Sequence, residues 1–244
     1  MNLLEFRNIK KKYGQRDVLS GVSFSIEAGE IFGLVGSSGC GKSTLLNILV
    51  GMNLADSGDI FFEGKNVLKD LNYLRKRTGF ATQDNMLFEE LSVKENSFYF
   101  GDLYGMKKRD IKASFEELLR LFKLEDFRDH PISQLSGGMT KRANLLVSLI
   151  HHPRLLILDE PTVGLDPILR SSLWEYIKKI NESGMTILVT SHLLEEIEEN
   201  CDRIGIMKRG KMIALAELSE YKERYGRNKN LNEIFQELVK NEGV

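Results

Sequence analysis

Gly36, Ser37, Ser38, Gly39, Cys40, Gly41, Lys42, Ser43 and Thr44 stand consecutively, and their types and order suit the binding of a polyphosphate. Three glycines let the backbone take left-handed angles and approach an anion with no Cβ in the way. Successive N–H groups then form a concave nest, and a helix starting at its far side adds partial positive charge. Lys42 supplies a full charge for the β- and γ-phosphates, and the Ser43 hydroxyl can ligate Mg²⁺. Cys40 lies inside this nest, where the spacing predicts a thiol open to alkylating reagents that ATP shields.

A second set of chemical groups closes the apolar run Leu155–Leu158, which is followed by Asp159 and Glu160. Four apolar residues in a row predict a strand buried on both faces, as in a parallel sheet. Carboxylates at its C-terminal end lie where open α/β sheets bind ligands. Neighbours on a strand point to opposite sides, so the two carboxylates have different tasks. One can hold Mg²⁺, and the other can polarise an attacking water as general base. His192 ends another apolar run, Thr186–Ser191, at the same kind of edge. Ser136, Gly137 and Gly138 open an apolar-periodic helix after the breaker Pro131. Ser136 is a natural N-cap, and two glycines expose backbone N–H groups, which makes a second anion-binding helix end without a lysine. Tyr13 can stack a base, and the amide oxygen of Gln83 can ligate Mg²⁺.

The elements that position these groups are legible from periodicity. Ile31–Val35 reads as a buried strand feeding the glycine turn, and Leu45–Val50 as the helix leaving it. Val22, Phe24 and Ile26 alternate with serines as a half-buried strand; Leu4, Phe6 and Ile9 open another, and Lys10–Lys12 suggests a solvated edge. Residues 58–66 and 203–213 read as hairpins, the first with residues 64–66 at its tip and the second turning at Lys208–Gly210. Between Ser92 and about Phe127 the pattern is helical, with Ile111, Phe115, Leu118, Leu119 and Phe122 on one stripe. Leu231, Ile234, Phe235 and Leu238 predict a short amphipathic helix near the end.

A length of 244 residues fits one α/β domain with small insertions. A formal net charge of −1 argues against nucleic acid as main partner, since counterion-driven binding needs a basic surface. No window approaches the roughly eighteen apolar residues of a membrane span, and the first residues lack a leader pattern. Two cysteines without metal-like spacing read as reduced thiols of a cytoplasmic protein.

Taken together the motifs resemble the nucleotide-binding subunit of ATP-binding cassette (ABC) transporters, over roughly residues 1–215. Gly36–Thr44 is similar to the Walker A loop, Gln83 to the Q-loop, Leu135–Met139 to the family signature and Leu155–Glu160 to Walker B. Residues 164–167 resemble the D-loop, His192 the switch histidine and Tyr13 the adenine-stacking aromatic. Met139 departs from the glutamine that many members carry, which implies a tuned contact. The resemblance implies an α/β phosphate-loop NTPase core with a mostly parallel sheet and an N-terminal antiparallel β subdomain. A helical insertion spans about 84–134, and residues 216–244 form a C-terminal helical appendage. It implies ATP and Mg²⁺ as cofactors, with Asp159 holding Mg²⁺ beside Ser43 and Gln83, Glu160 as base and His192 on the γ-phosphate. Ser136, Gly137 and Gly138 contact the ATP of a second subunit in a head-to-tail homodimer. The partner is a separate integral membrane permease, the place is the cytoplasmic face of the membrane, and the form resembles ABC-2 exporter subunits. The other role within the family, a soluble ATPase acting on nucleic acid or ribosomes, is opposed by the neutral charge and by the lack of a second cassette.

Overall fold

The structure is a computed structural model that describes residues 1–83 and 86–241. Asp84 and Asn85, at the start of the expected insertion, and residues 242–244, at the end of the expected appendage, lie outside the described residues. The chain divides into two units, Met1–Arg75 together with the chain from Thr186 onward, and Lys76–Met185. The first stretch holds β1 (Asn2–Tyr13), β2 (Arg16–Glu27), β3 (Ile31–Gly36), α1 (Lys42–Leu49), β4 (Ser57–Phe62), β5 (Lys65–Asn66) and α2 (Leu71–Arg75). The second unit holds β6 (Thr78–Ala81), α3 (Val93–Leu103), α4 (Lys108–Leu121), α5 (Gly137–Leu149), β7 (Leu155–Asp159) and α6 (Pro167–Glu182). The chain then returns to the first unit with β8 (Thr186–Ser191), α7 (Leu194–Asn200), β9 (Arg203–Lys208), β10 (Lys211–Glu217), α8 (Leu218–Tyr225) and α9 (Leu231–Asn241).

In the first unit an antiparallel sheet runs β2-β1-β4-β5. Its β1 strand carries apolar residues at 4, 6 and 9, which breaks a period of two. Asn8 resolves the mismatch: at φ 53° it forms a bulge, its N–H donates to Ser23 Oγ at 2.8 Å, and Leu4, Phe6 and Ile9 all reach the core. The run Lys10–Lys12 is an edge only in part: β4 pairs with β1 as far as Lys10, beyond which Lys11 and Lys12 pair with β2 alone, and Lys10 and Lys12 are exposed while Lys11 is half-buried. The first hairpin turns at Glu63 and Gly64, both at positive φ, so Lys65 and Asn66 belong to a short strand and not to the tip.

The other strands of this unit follow the order β10-β9-β3-β8, with β3 parallel to both β8 and β9, and β10 antiparallel to β9. Every residue of β3 and β8 is buried, as continuous apolar runs require when both faces are covered. Gly33 allows α7 to pack closely on β3: a Cβ there would meet Ile197 Cγ2 at 2.7 Å.

In the second unit β6 and β7 pair in parallel. Helix α3 starts on a capping box, in which Ser92 Oγ accepts from Glu95 N and the Glu95 carboxylate accepts from Ser92 N. Helix α4 buries the stripe Ile111, Phe115, Leu118 and Leu119. Helix α6 begins with Pro167 after Asp166, whose carboxylate accepts from Ile168 N at 2.9 Å and Leu169 N at 3.0 Å; it buries Trp174, Ile177 and Ile180. Among the described residues no helix is long and apolar enough to cross a membrane.

Candidate functional site

The first unit presents the glycine turn between β3 and α1. Gly36 ends the buried strand, Ser37, Ser38 and Gly39 are exposed, and α1 starts at Lys42. Gly39 and Gly41 sit at φ 73° and 113°, angles that a side chain would strain. Space excludes a side chain as well: a Cβ on Gly36 would lie 2.4 Å from Met207 O, and one on Gly41 would lie 2.7 Å from Leu19 Cδ2. Cys40 N donates to Ser37 O at 3.1 Å and closes the turn, and Lys42 Nζ donates to Gly36 O at 2.8 Å, folding the ammonium back over the loop. Ser43 is exposed and Thr44 half-buried at the start of the helix.

The Cys40 thiol does not line the nest. It is 4% exposed and lies beneath the loop, where its Sγ would come within 2.6 Å of a Cβ on Gly36. Reagents cannot reach it without opening the loop, so the expected thiol-sensitive nest is corrected; only its backbone belongs to the turn. The Cys40 carbonyl accepts from Gly210 N at 2.9 Å, and Gly210 O accepts from Ser20 N at 2.8 Å. The tip of the β9–β10 hairpin thus braces the loop from behind, a contact between residues some 170 positions apart that local spacing does not reveal.

Tyr13 stands at the end of β1 with its ring half exposed, its hydroxyl accepting from Asn53 Nδ2 at 3.0 Å, and the Lys11 ammonium 5.4 Å from the ring centre. An exposed ring with one polar tether leaves a face open for stacking. His192 lies just past β8 and is exposed; Leu193 N donates to Ser191 Oγ at 2.9 Å and turns the chain into α7.

The second unit holds the remaining residues. Ser136 N-caps α5, its Oγ accepting from Met139 N at 3.4 Å, and Ser136 and Gly137 are exposed. A Cβ on Gly137 would meet none of the described residues within 4 Å, whereas one on Gly138 would meet Leu169 at 3.0 Å. The second glycine therefore answers to packing, and the first leaves the helix end open. Gln83 is exposed two residues beyond β6, and its backbone carbonyl accepts from Lys141 Nζ of α5 at 2.7 Å.

Asp159 is the last residue of β7, as the apolar run predicts. Glu160 departs from the expectation that the two carboxylates alternate along one strand. It leaves the strand at φ 51°, a left-handed angle that a non-glycine residue adopts at a cost of about 1 kcal/mol or more. The backbone kink, and not the pleat of a strand, aims its side chain. A turn follows, with Val163 N donating to Glu160 O at 3.3 Å and Leu165 N to Thr162 O at 3.1 Å.

One surface that periodicity did not single out is aromatic. Phe88 and Tyr99 meet edge to face with ring centres 5.0 Å apart, and both are exposed; Met86 and Leu103, two and four residues from them in the chain, are exposed as well. The buried amide of Asn96 holds this segment on α3: its Oδ1 accepts from Phe88 N, and its Nδ2 donates to the carbonyls of Phe88, Leu91 and Ser92.

A family profile described as ABC transporter matches residues 19–163. The linearmycin resistance ATP-binding protein LnrL of Bacillus subtilis (strain 168) is 40% identical over 224 residues, which cover 92% of this chain and 72% of that one. The Nod factor export ATP-binding protein I of Burkholderia lata is 39% identical over 86% of this chain and 69% of its own. Among solved structures, an ATP-binding subunit of an ABC transporter superposes with a TM-score of 0.88 at 28% identity, covering 97% of this chain and 99% of that chain. A nucleotide-free ATP-binding cassette of an ABC transporter gives 0.85 at 25% identity, over 96% and 99%.

Proposed function

We propose a function on one premise: the chain belongs to the ABC transporter family. It binds ATP and hydrolyses it. It powers export through a separate membrane permease, on whose cytoplasmic face it sits, in keeping with relatives named for linearmycin resistance and Nod factor export. The observation that carries the nucleotide site is the turn from β3 to α1, where space and backbone angle both demand glycine and Lys42 opens the helix.

The N–H groups of Gly36–Thr44 and the Lys42 ammonium hold the phosphates, and Tyr13 stacks the adenine. Mg²⁺ neutralises charge on the β- and γ-phosphates when bound. The groups assigned to it, the Ser43 hydroxyl, the Gln83 amide oxygen and the Asp159 carboxylate, are hard oxygen donors of the kind this cation takes. Glu160 accepts a proton from the attacking water, and the exposed His192 contacts the γ-phosphate. The open end of α5, from Ser136 to Gly138, donates its N–H groups to the ATP of a second copy, which explains an anion-binding end with no lysine of its own. The exposed Phe88–Tyr99 pair, with exposed Met86 and Leu103 close to it in the chain, suits burial by the permease, because apolar aromatic surface is costly to leave in water.

The test is Glu160→Gln. The amide keeps the shape and removes the base, so ATP affinity should persist, phosphate release should stop, and the variant should collect as an ATP-bound dimer in size-exclusion chromatography. Phosphate release near the parent rate would overturn the assignment.

A further inference from the structure

We infer that the C-terminal helix α9 is a strut that sets both His192 and the phosphate loop, and that Glu198 is the positioning residue through which it acts on His192. The inference rests on the reading of His192 as a γ-phosphate contact. Helix α7 begins two residues after His192 and is only seven residues long. Its inner face is fixed by Ile197, fully buried against Gly33 in the strand that feeds the phosphate loop. Its outer face carries Glu198, whose side chain is 17% exposed. One oxygen of that carboxylate pairs with Lys222 Nζ of α8 at 2.9 Å, and the other accepts from Leu231 N, the first residue of α9, at 2.7 Å. One side chain thus ties three helices together.

The far end of α9 is held in the complementary way. The Lys208 ammonium donates to the carbonyl of Val239 in the last turn of the helix. Lys208 ends β9, and two residues later Gly210 donates to the carbonyl of Cys40 in the phosphate loop. An anion therefore sits on the positive end of α9 and a cation on its negative end, both matched to the helix dipole. Between them Leu231, Ile234 and Leu238 are buried. Helix α8 is anchored as well, since the buried Tyr221 hydroxyl donates to Ile204 O of β9 at 3.0 Å.

Helix α9 does not need Glu198 in order to form. Its own start is capped by Asn230 and Glu233, each accepting from the other's N–H at 2.9 Å. The contacts from Glu198 and Lys208 are additional, and each leads to one part of the ATP site: Glu198 to the segment that carries His192, and Lys208 to the turn behind Cys40. Loss of the first should slow turnover, and loss of the second should weaken nucleotide binding.

The experiment uses the full chain and compares Glu198→Ala, Glu198→Gln, Lys208→Met and His192→Ala. Glu198→Ala should lower kcat roughly tenfold, as removal of an orienting partner typically does, with KM for ATP little changed. Glu198→Gln keeps an acceptor for Leu231 N and should restore most of the rate. Lys208→Met should raise KM with little change in kcat. The chain has four histidines, so ring resonances of histidine-labelled protein are separable. In Glu198→Ala the His192 resonance should move while those of His130, His151 and His152 stay. An unmoved His192 resonance overturns the strut, whether or not kcat falls. Full activity in His192→Ala would instead overturn the reading of His192, while the shifted resonance would still uphold the coupling. If Glu198→Ala does not fold, Lys208→Met, which releases the other end of α9, decides the matter, and an unchanged KM in it overturns the strut.

Discussion

At the scale of single residues, the structure separates groups kept for chemistry from groups kept for packing, and His151 belongs to the second kind. Its ring stacks on Tyr104 with centres 3.6 Å apart, and Nε2 donates to Thr78 O at 3.2 Å. Its Nδ1 is buried and has no hydrogen-bond partner among the described residues, so a second proton there would lack an acceptor among them. Burial pushes this histidine down to about 4, against a partial opposing pull from the Thr78 carbonyl. The unfolded chain takes up that proton near pH 6.5, and the folded chain only near 4. Stability from this group is therefore complete above about pH 6.5 and falls as pH drops toward 4, by up to roughly 3 kcal/mol. Denaturant midpoints measured from pH 7 to pH 4 should decline, and His151→Gln should flatten the decline. An equally steep decline in the variant would assign the acid sensitivity elsewhere. The proposed site residues stand out in the sequence because their signal is local: Lys42 after Gly41, or Asp159 and Glu160 after four apolar residues. The angle of Glu160 was not legible, because no neighbour in the sequence announces a left-handed glutamate.

At the scale of elements, continuous apolar runs predicted β3, β7 and β8, and a heptad-like stripe predicted α4, since strand and helix periods differ enough to be told apart in short windows. What escaped were features set by partners distant in the chain. Lys10 looks like part of an open edge until β4 pairs with the far side of β1, and Glu198 looks like one more acid on a charged helix until α9 docks on it. Capping is the part of element physics that local sequence does encode. Ser92 with Glu95 three residues later forms the box that starts α3. Ser92→Ala should cost about 1 kcal/mol by thermal or chemical unfolding, with ATP turnover per folded molecule unchanged. A loss of turnover without a loss of stability would mean that Ser92 has a role beyond the cap.

At the scale of the whole molecule, the proposed dimer makes the open end of α5 and the phosphate loop halves of different sites. Ser136→Arg should leave nucleotide binding by the monomer intact, because the site proposed for it is Gly36–Thr44 and Tyr13. It should abolish ATP-driven dimerisation and turnover, since a bulky side chain blocks the donors at the helix end. Mixing it with Lys42→Ala creates a pair with one site wholly intact and one doubly spoiled. ATPase activity above that of either variant alone would establish action across the pair, and loss of ATP binding by isolated Ser136→Arg would contradict it. The burial of Trp174 also gives the molecule an optical asymmetry. It is the one tryptophan in the chain and lies on α6, in the unit of residues 76–185, so the indole emission of the folded protein comes from that unit alone. The unit that carries the phosphate loop is dark at those wavelengths. A change in emission on adding nucleotide would then be light from the unit that carries Gln83, Asp159 and Glu160, with no dye attached.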